Sequence, residues 1–333
     1  MMTPQSGTSS AIVGSGEFVY EAFDRWEQLP EGWSFVEAVG VATDSQDRVY
    51  VFNRGEHPVV VFDRDGKFLN AWGEERFVRP HGIWIDREDF LYLTDDRDHT
   101  IGKYTPDGEL LLKLGTSGQG SDSGVENSDY RTIKRGAPPF NQPTNLAIAP
   151  TGEMYVCDGY GNARVHKFSA EGELLLSWGE PGCGAGEFQL PHGIGVDSNG
   201  RVFLADRENS RLQLFSPEGE FLEEWTDVAR PCEVFLDRDD NVYVAELGWH
   251  AGLPDPKPEQ TGGRLSIFDC SGNLQCRFGG GSRPASAGDF AAPHDVWVDS
   301  QGSVYVGEVT VSAAVPKGIV TADCPSLQKF VRK

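Results

Sequence analysis

Residues 191–208 read PHGIGVDSNGRVFLADRE, and this stretch decides the fold. A proline opens a short apolar run that closes at Asp197. A turn of Ser, Asn and Gly follows, then a second apolar run at 202–205. Short runs that alternate apolar and polar residues between turn signals are half-buried strands. The unit recurs in five more places. It opens VGVATDSQDRVYVFNR at Val39, PHGIWIDREDFLYLTDD at Pro80, PTNLAIAPTGEMYVCDGY at Pro143, PCEVFLDRDDNVYVAEL at Pro231 and PHDVWVDSQGSVYVGEV at Pro293. Each copy goes on to a third strand ending in Phe, a hairpin, and a fourth strand that often ends in Trp-Gly. The hairpins carry Asp65-Gly66, Asp107-Gly108, Glu171-Gly172, Glu218-Gly219 and Ser271-Gly272, residues that tolerate the left-handed backbone of a tight turn. Six copies of four strands predict an all-β fold, a six-bladed β-propeller. No stretch has the 3.6-residue period that a helical solenoid needs.

The last copy lacks a clear fourth strand after Phe330. FVYEAFDRW, at 18–26, reads as a strand and is expected to complete blade six and close the ring, which removes exposed edges. The expected organisation is a flexible N-terminal segment over 1–16 and a single propeller domain over 17–333. Two inserts interrupt the repeat, a Ser/Gly/Asp-rich one from about Gly115 to Pro139 and a Pro-rich one from about Trp249 to Gly263. Inserts of this length either cover a site or are plain surface loops.

The 333 residues carry 51 acidic and 29 basic side chains, a formal charge of −22. So acidic a chain repels phosphate backbones, which excludes nucleic acid as a partner. No apolar run is long enough to span a bilayer, so no membrane is expected. Met1–Gly16 has no basic start and no apolar core, unlike a signal peptide. The six cysteines lack zinc-knuckle spacing, and free thiols in a reducing cytoplasm are the expectation. Cys270 and Cys276 flank a hairpin turn, where a bridge stays open as an alternative.

One position on the innermost strand of each copy holds, in order, Val39, His81, Thr144, His192, Cys232 and His294. Histidine therefore falls in blades two, four and six, which lie about a third of a turn apart in a six-fold ring. Three imidazoles at one depth would form a metal platform with an open fourth position, the arrangement of catalytic zinc. Iron, copper and nickel also accept imidazole. Near the end of the second strands stand Arg54 in blade one, Arg207 in blade four and, one residue further along, Tyr160 in blade three. Two guanidiniums and a phenol beside a metal point to a small-molecule substrate that carries a carboxylate. The phenol would serve as a base if the metal and the arginines favour its ionised form. Each residue alone is open to a structural reading; Arg207, in DREN, has Asp206 beside it as a possible partner.

The repeats resemble NHL repeats, and the motif set resembles peptidyl-α-hydroxyglycine α-amidating lyase over nearly the whole chain. FNRGEH, at 52–57, is similar to that family's first arginine motif. RPHGIWID, LPHGIGVD and APHDVWVD are similar to its zinc-histidine motifs, QPTNLAIAPTGEMYVCDGYGNARV to its tyrosine motif, and ADRENSRLQLF to its second arginine motif. The resemblance implies that His81, His192 and His294 hold zinc, that Tyr160 is the catalytic base, and that Arg54 and Arg207 hold and polarise the substrate. It also implies a structural calcium, held by the backbone carbonyls of Val41 and Ile83 and the carboxylate of Asp295, a mixed oxygen set that suits this ion. The implied reaction cleaves the N–C bond of an α-hydroxyglycine to an amide and glyoxylate. Gly161 stands where secreted animal members have a cysteine. That fits a stand-alone, cytoplasmic bacterial-type protein, expected to be a monomer, whose substrate is a peptide or a small N-acyl or ureido hydroxyglycine.

Two other readings remain at this point. One is a metal-dependent hydrolase such as a lactonase, which has no evident need of the Arg54–Tyr160–Arg207 set. The other is a non-catalytic binding propeller, which has no evident need of the three histidines. His57 is a candidate neighbour of the substrate, and structural or surface positions are expected for His99, His166 and His250.

Overall fold

A computed structural model describes residues 10–253 and 255–333. The first nine residues of the N-terminal segment, and one position of the Pro-rich insert, lie outside the described residues. Five sheets of four strands and one of five strands begin at the six repeat starts, which makes the fold an all-β, six-bladed propeller. In blade four the strands are Pro191–Val196, Val202–Asp206, Arg211–Phe215 and Phe221–Trp225, paired antiparallel in that order. The five hairpin glycines all adopt the positive φ expected of them, from +80° at Gly219 to +89° at Gly172.

Burial explains why the strands differ in sequence. The second strand of every blade is buried throughout, so it reads as a run such as VFLAD or VYVAE. The outermost strands are largely exposed, as in Phe221–Trp225, and carry more polar residues.

The chain divides into two compact units, Glu75–Asp240 and Met1–Glu74 with Asn241–Lys333. In the first, the innermost strands Pro80–Ile85, Pro143–Ile148, Pro191–Val196 and Pro231–Leu236 lie side by side. Between its third and fourth blades, Tyr155, Val165, Phe188, Ile194, Leu204 and Phe215 share one core. In the second unit Pro293–Val298 lies beside Ala38–Thr43. There Phe18–Phe23 pairs antiparallel with Leu327–Arg332, with Phe23 opposite Lys329, and supplies the missing fourth strand of blade six. Beyond it, Ser10–Ser15 forms a fifth strand paired antiparallel with Phe18–Phe23. Gly14 and Gly16, both with positive φ, let the chain reverse there.

Candidate metal centre

His81, His192 and His294 are 1%, 1% and 4% exposed and hold the same backbone position in three innermost strands. Each Nδ1 meets a carbonyl of the neighbouring blade: His81 to Thr144 O at 2.7 Å, His192 to Cys232 O at 2.9 Å, His294 to Val39 O at 2.8 Å. A carbonyl only accepts, so each Nδ1 carries the proton and each Nε2 keeps its lone pair as a ligand atom. At His81 and His192 the glycine that follows the histidine makes this approach possible. A Cβ on Gly82 would stand 2.6 Å from Thr144 O, and one on Gly193 2.4 Å from Cys232 O.

In the Glu75–Asp240 unit the imidazoles of His81 and His192 have centroids 4.9 Å apart. The Tyr160 hydroxyl lies 3.2 Å from Nε2 of His81 and 3.1 Å from Nε2 of His192. One phenolic proton cannot serve two lone pairs at once, so an electron-pair acceptor suits this place. The donor set of three buried imidazoles, one ligand atom each, fits a metal ion.

Tyr160 follows Met154–Asp158 on a loop that the fully buried Asp158 organises. Asp158 accepts from the Asn141 N–H at 2.9 Å and the Asn162 amide at 2.8 Å, and lies 3.2 Å from His166 Nε2. Asn141 then accepts the Gly161 N–H on its own carbonyl at 3.0 Å. Gly161 has no room for a side chain, since a Cβ would stand 2.2 Å from Asn141 Oδ1. His166, with Ser177 Oγ 2.7 Å from its Nδ1, is structural as expected. Gln213 holds the matching strand position in blade four and likewise reaches the acid at the end of its second strand, Asp206, at 3.1 Å. The insert that starts near Gly115 braces the tyrosine loop: Ser123 Oγ bonds Gly161 O, and Gln142 Nε2 donates to Ser128 Oγ at 3.1 Å.

The guanidinium carbons of Arg207 and Arg79 each lie 5.6 Å from the centre of the Tyr160 ring. Nothing in the sequence marks Arg79 beyond its place before Pro80; its Nη1 meets Asp96 at 2.5 Å. Arg207 does not pair with Asp206. The strand register puts Asp206 opposite Arg211, which it binds at 2.9 Å, while the chain turns away at Arg207. Arg207 Nε donates instead to Glu208 Oε1 at 2.8 Å, and Arg230 Nη2 donates to the same oxygen at 2.8 Å. Burial alone would raise the Glu208 carboxyl, but Arg207 and Arg230 hold it down at about 2. Burial opposes the charge of Arg207, yet Glu208 keeps the guanidinium firmly protonated. The Cys232 thiol, at the histidine-equivalent position, is pushed up to about 11 by burial, against the pull of Arg207 and Arg230.

The other predicted residues belong to the second unit, except Ile83, which is buried in the first. Arg54 Nη1 donates to Glu37 Oε2 at 2.9 Å and to Ser312 Oγ at 3.4 Å. Asp295 is buried and accepts the Val41 N–H at 2.8 Å and the Val296 N–H at 2.9 Å; burial raises its carboxyl. His57 stacks on Trp33 with centroids 3.4 Å apart and meets Glu74 at 3.0 Å. All six cysteines are free, Cys270 and Cys276 included. No described helix is long and apolar enough to cross a membrane.

Comparison with known proteins adds three findings. Residues 188–215 match the NHL repeat model. NHL repeat-containing protein 3 of Mus musculus is 37% identical over 81% of this chain and 76% of its own length. Peptidyl-alpha-hydroxyglycine alpha-amidating lyase 1 of Drosophila melanogaster is 32% identical over 73% of this chain, which spans 45% of that protein. Among solved structures, a gluconolactonase of Xanthomonas campestris aligns over 99% of this chain and 98% of its own with a TM-score of 0.61 at 12% identity, a likeness of fold.

Proposed function

The chain belongs to the family of NHL repeat-containing proteins, and from that premise we propose that it is a metal-dependent carbon–nitrogen lyase. Its substrate is an α-hydroxyglycine derivative, cleaved at the N–C bond to an amide and glyoxylate. The observation that carries this reading is Tyr160, whose hydroxyl lies 3.1–3.2 Å from two histidine Nε2 atoms and whose ring centre lies 5.6 Å from the Arg207 guanidinium carbon. The amidating lyase among the relatives supports the same chemistry.

His81, His192 and His294 would hold the metal, zinc being the natural choice for imidazole ligands, and it would supply a Lewis acid at the substrate hydroxyl. Arg207, with Arg54, holds the substrate carboxylate. Tyr160 takes the hydroxyl proton. As the C–O bond becomes a carbonyl, the C–N bond breaks, and the proton passes to the departing nitrogen to complete the amide. Asp295 with the carbonyls of Val41 and Ile83 would hold a structural calcium, and a buried carboxylate met by backbone donors is suited to a cation partner. The same reading takes the protein to be a cytoplasmic monomer acting on a small carboxylate.

The test is to supply α-hydroxyhippurate to zinc-loaded protein and measure glyoxylate. Release that stops on chelation and returns with zinc is the expected result. No glyoxylate from zinc-loaded protein overturns this reading in favour of a hydrolase or a different substrate.

A further inference from the structure

We infer that Tyr130, carried by the Ser/Gly/Asp-rich insert, is a specificity-determining residue. Its ring walls the substrate site near Arg207 and selects an α-hydroxyglycine whose acyl group is flat and apolar over one whose acyl group is small. The inference rests on the lyase reading for the identity of the substrate and deepens it by naming the acyl class.

Two separate ties bring the insert to the site. The first runs through the tyrosine loop. Gln142 donates its amide to Ser128 Oγ at 3.1 Å and accepts the Tyr160 N–H on its carbonyl at 3.4 Å, while Ser123 Oγ bonds the carbonyl of Gly161. The second runs through blade four. Tyr130 packs against the core that contains Phe188 and the insert's own Ile133. The two residues after Phe188 hold the arginine stretch, since Leu190 O accepts the Arg207 N–H at 3.3 Å and Gln189 O the Glu208 N–H at 3.0 Å. Tyr130 also feels the charges there. Burial first, and then the Glu208 carboxylate, raise its phenol above the ordinary range, against the pull of Arg207, Arg131 and Arg230. The insert holds the ring in place. The chain reverses at Asn127 and Ser128, both at φ +54°, so that Glu126 bridges Asp129, and Asp129 accepts the Arg131 N–H at 3.0 Å to cap the short turn Tyr130–Thr132. The insert also settles its own charge. In a chain of net charge −22, residues 122–135 hold three acids and three bases, which pair as Arg131–Asp129 at 2.6 Å, Lys134–Glu126 at 2.7 Å and Arg135–Asp122. What it presents near Arg207 is thus a neutral, half-buried aromatic ring and not one more carboxylate. Such a ring admits the anionic end of a substrate and packs on a flat apolar group attached to it.

The probes are hippurate and N-acetylglycine, two N-acylglycines that lack the α-hydroxyl and cannot be cleaved, titrated calorimetrically into zinc-loaded protein. Wild type is expected to bind hippurate the more tightly. Tyr130→Ala should weaken hippurate about threefold or more beyond any loss for N-acetylglycine, and Tyr130→Phe, which keeps the ring, should hold the wild-type ratio. Circular dichroism checks the fold of each variant. If Tyr130→Ala does not fold, Tyr130→Leu, which keeps apolar bulk without the ring, should lower the ratio in the same direction. An unchanged ratio in the variant without the ring overturns the inference. So does an equal loss for both ligands, the mark of a merely structural brace, and so does lost selectivity in Tyr130→Phe. The expected binding pattern without glyoxylate from α-hydroxyhippurate sinks the lyase reading alone. Glyoxylate release with an unchanged ratio sinks this inference alone, and wild-type protein that binds neither ligand and releases no glyoxylate sinks both.

Discussion

Replacing Tyr160 with phenylalanine removes one oxygen and little else. The ring stays, and with it the packing of the Arg79 and Arg207 guanidiniums 5.6 Å from its centre. What is lost is the pair of contacts at 3.1 and 3.2 Å to His192 and His81. A single net hydrogen bond is worth about 1 kcal/mol, so the fold should survive with a melting temperature lower by a few degrees at most. The imidazoles keep their Nδ1 bonds to Thr144 O and Cys232 O, so the ligand atoms stay in place. Zinc content is therefore expected to be unchanged. Turnover is a different matter. A positioned acid or base contributes about 10²–10⁴-fold, which is about 3–5 kcal/mol of barrier. Tyr160→Phe should thus release glyoxylate from α-hydroxyhippurate at least about a hundredfold more slowly at saturating substrate, with KM little moved. Two measurements are needed, zinc by elemental mass spectrometry and glyoxylate by a coupled assay. Full rate in Tyr160→Phe would remove the phenol as base. Loss of zinc in parallel with rate would make it part of the metal site instead, and the division of roles between Tyr160 and the histidines would be refuted.

Four further outcomes follow from particular contacts. His192→Ala should lose both metal and turnover, checked by zinc content in protein purified without added metal. Gly193→Ala places a Cβ 2.4 Å from Cys232 O and 2.6 Å from the Glu233 Cα, so the adjacent strand must move and the 2.9 Å bond to His192 Nδ1 lengthens. It should cost about 1–3 kcal/mol in thermal denaturation and weaken zinc binding by roughly 10–100-fold. Glu208 titrates at about 2 in the fold against an ordinary 4.5. A depressed carboxyl contributes stability that is present above the ordinary value and is lost as pH falls toward 2, on the order of 3 kcal/mol at neutral pH. Urea denaturation at pH 7 and at pH 3 should show a smaller acid loss in Glu208→Gln than in wild type. Lastly, iodoacetamide at pH 8 should label the exposed Cys183 and Cys270 in the native protein, and the buried Cys157 and Cys232 only after unfolding, as read by peptide mass spectrometry.

Much of the fold lies open in the sequence because a repeat states each rule several times. The hairpin glycines, the strand lengths and the three PH positions are local features, and local features recur. The network behind the site is not local. Arg230 lies ahead of Pro231, outside the arginine motif, and meets Glu208 through 22 residues of intervening sequence separation. Sequence proximity favoured Asp206 as the partner of Arg207, and strand register gave that carboxylate to Arg211. Arg79 precedes Pro80 with no sign that it comes to rest beside Tyr160.

One pattern was present in the aligned repeats and has a meaning only pairwise. The residue after the histidine position is, from blade one to six, Gly40, Gly82, Asn145, Gly193, Glu233 and Asp295. Taken singly, these are three glycines and three unrelated polar residues. Between neighbouring blades they are complementary. A Cβ on Gly82 would lie 2.3 Å from Asn145 Oδ1, and one on Gly193 2.7 Å from Glu233 Oε1. The Glu233 carboxylate accepts the Ile194 N–H at 3.2 Å, and the Asp295 carboxylate accepts the Val41 N–H, next to Gly40, at 2.8 Å. Gly82 and Gly193 thus leave the space that a polar side chain of the adjacent blade fills, and Glu233 and Asp295 bond the backbone one residue beyond Gly193 and Gly40. That close approach brings Thr144 O and Cys232 O within reach of the His81 and His192 Nδ1 atoms, fixes their tautomers and frees their Nε2 atoms. Filling a glycine of this set should therefore disturb the metal site as well as the packing, whereas removing an exposed leucine of an outer strand, such as Leu175, should disturb neither.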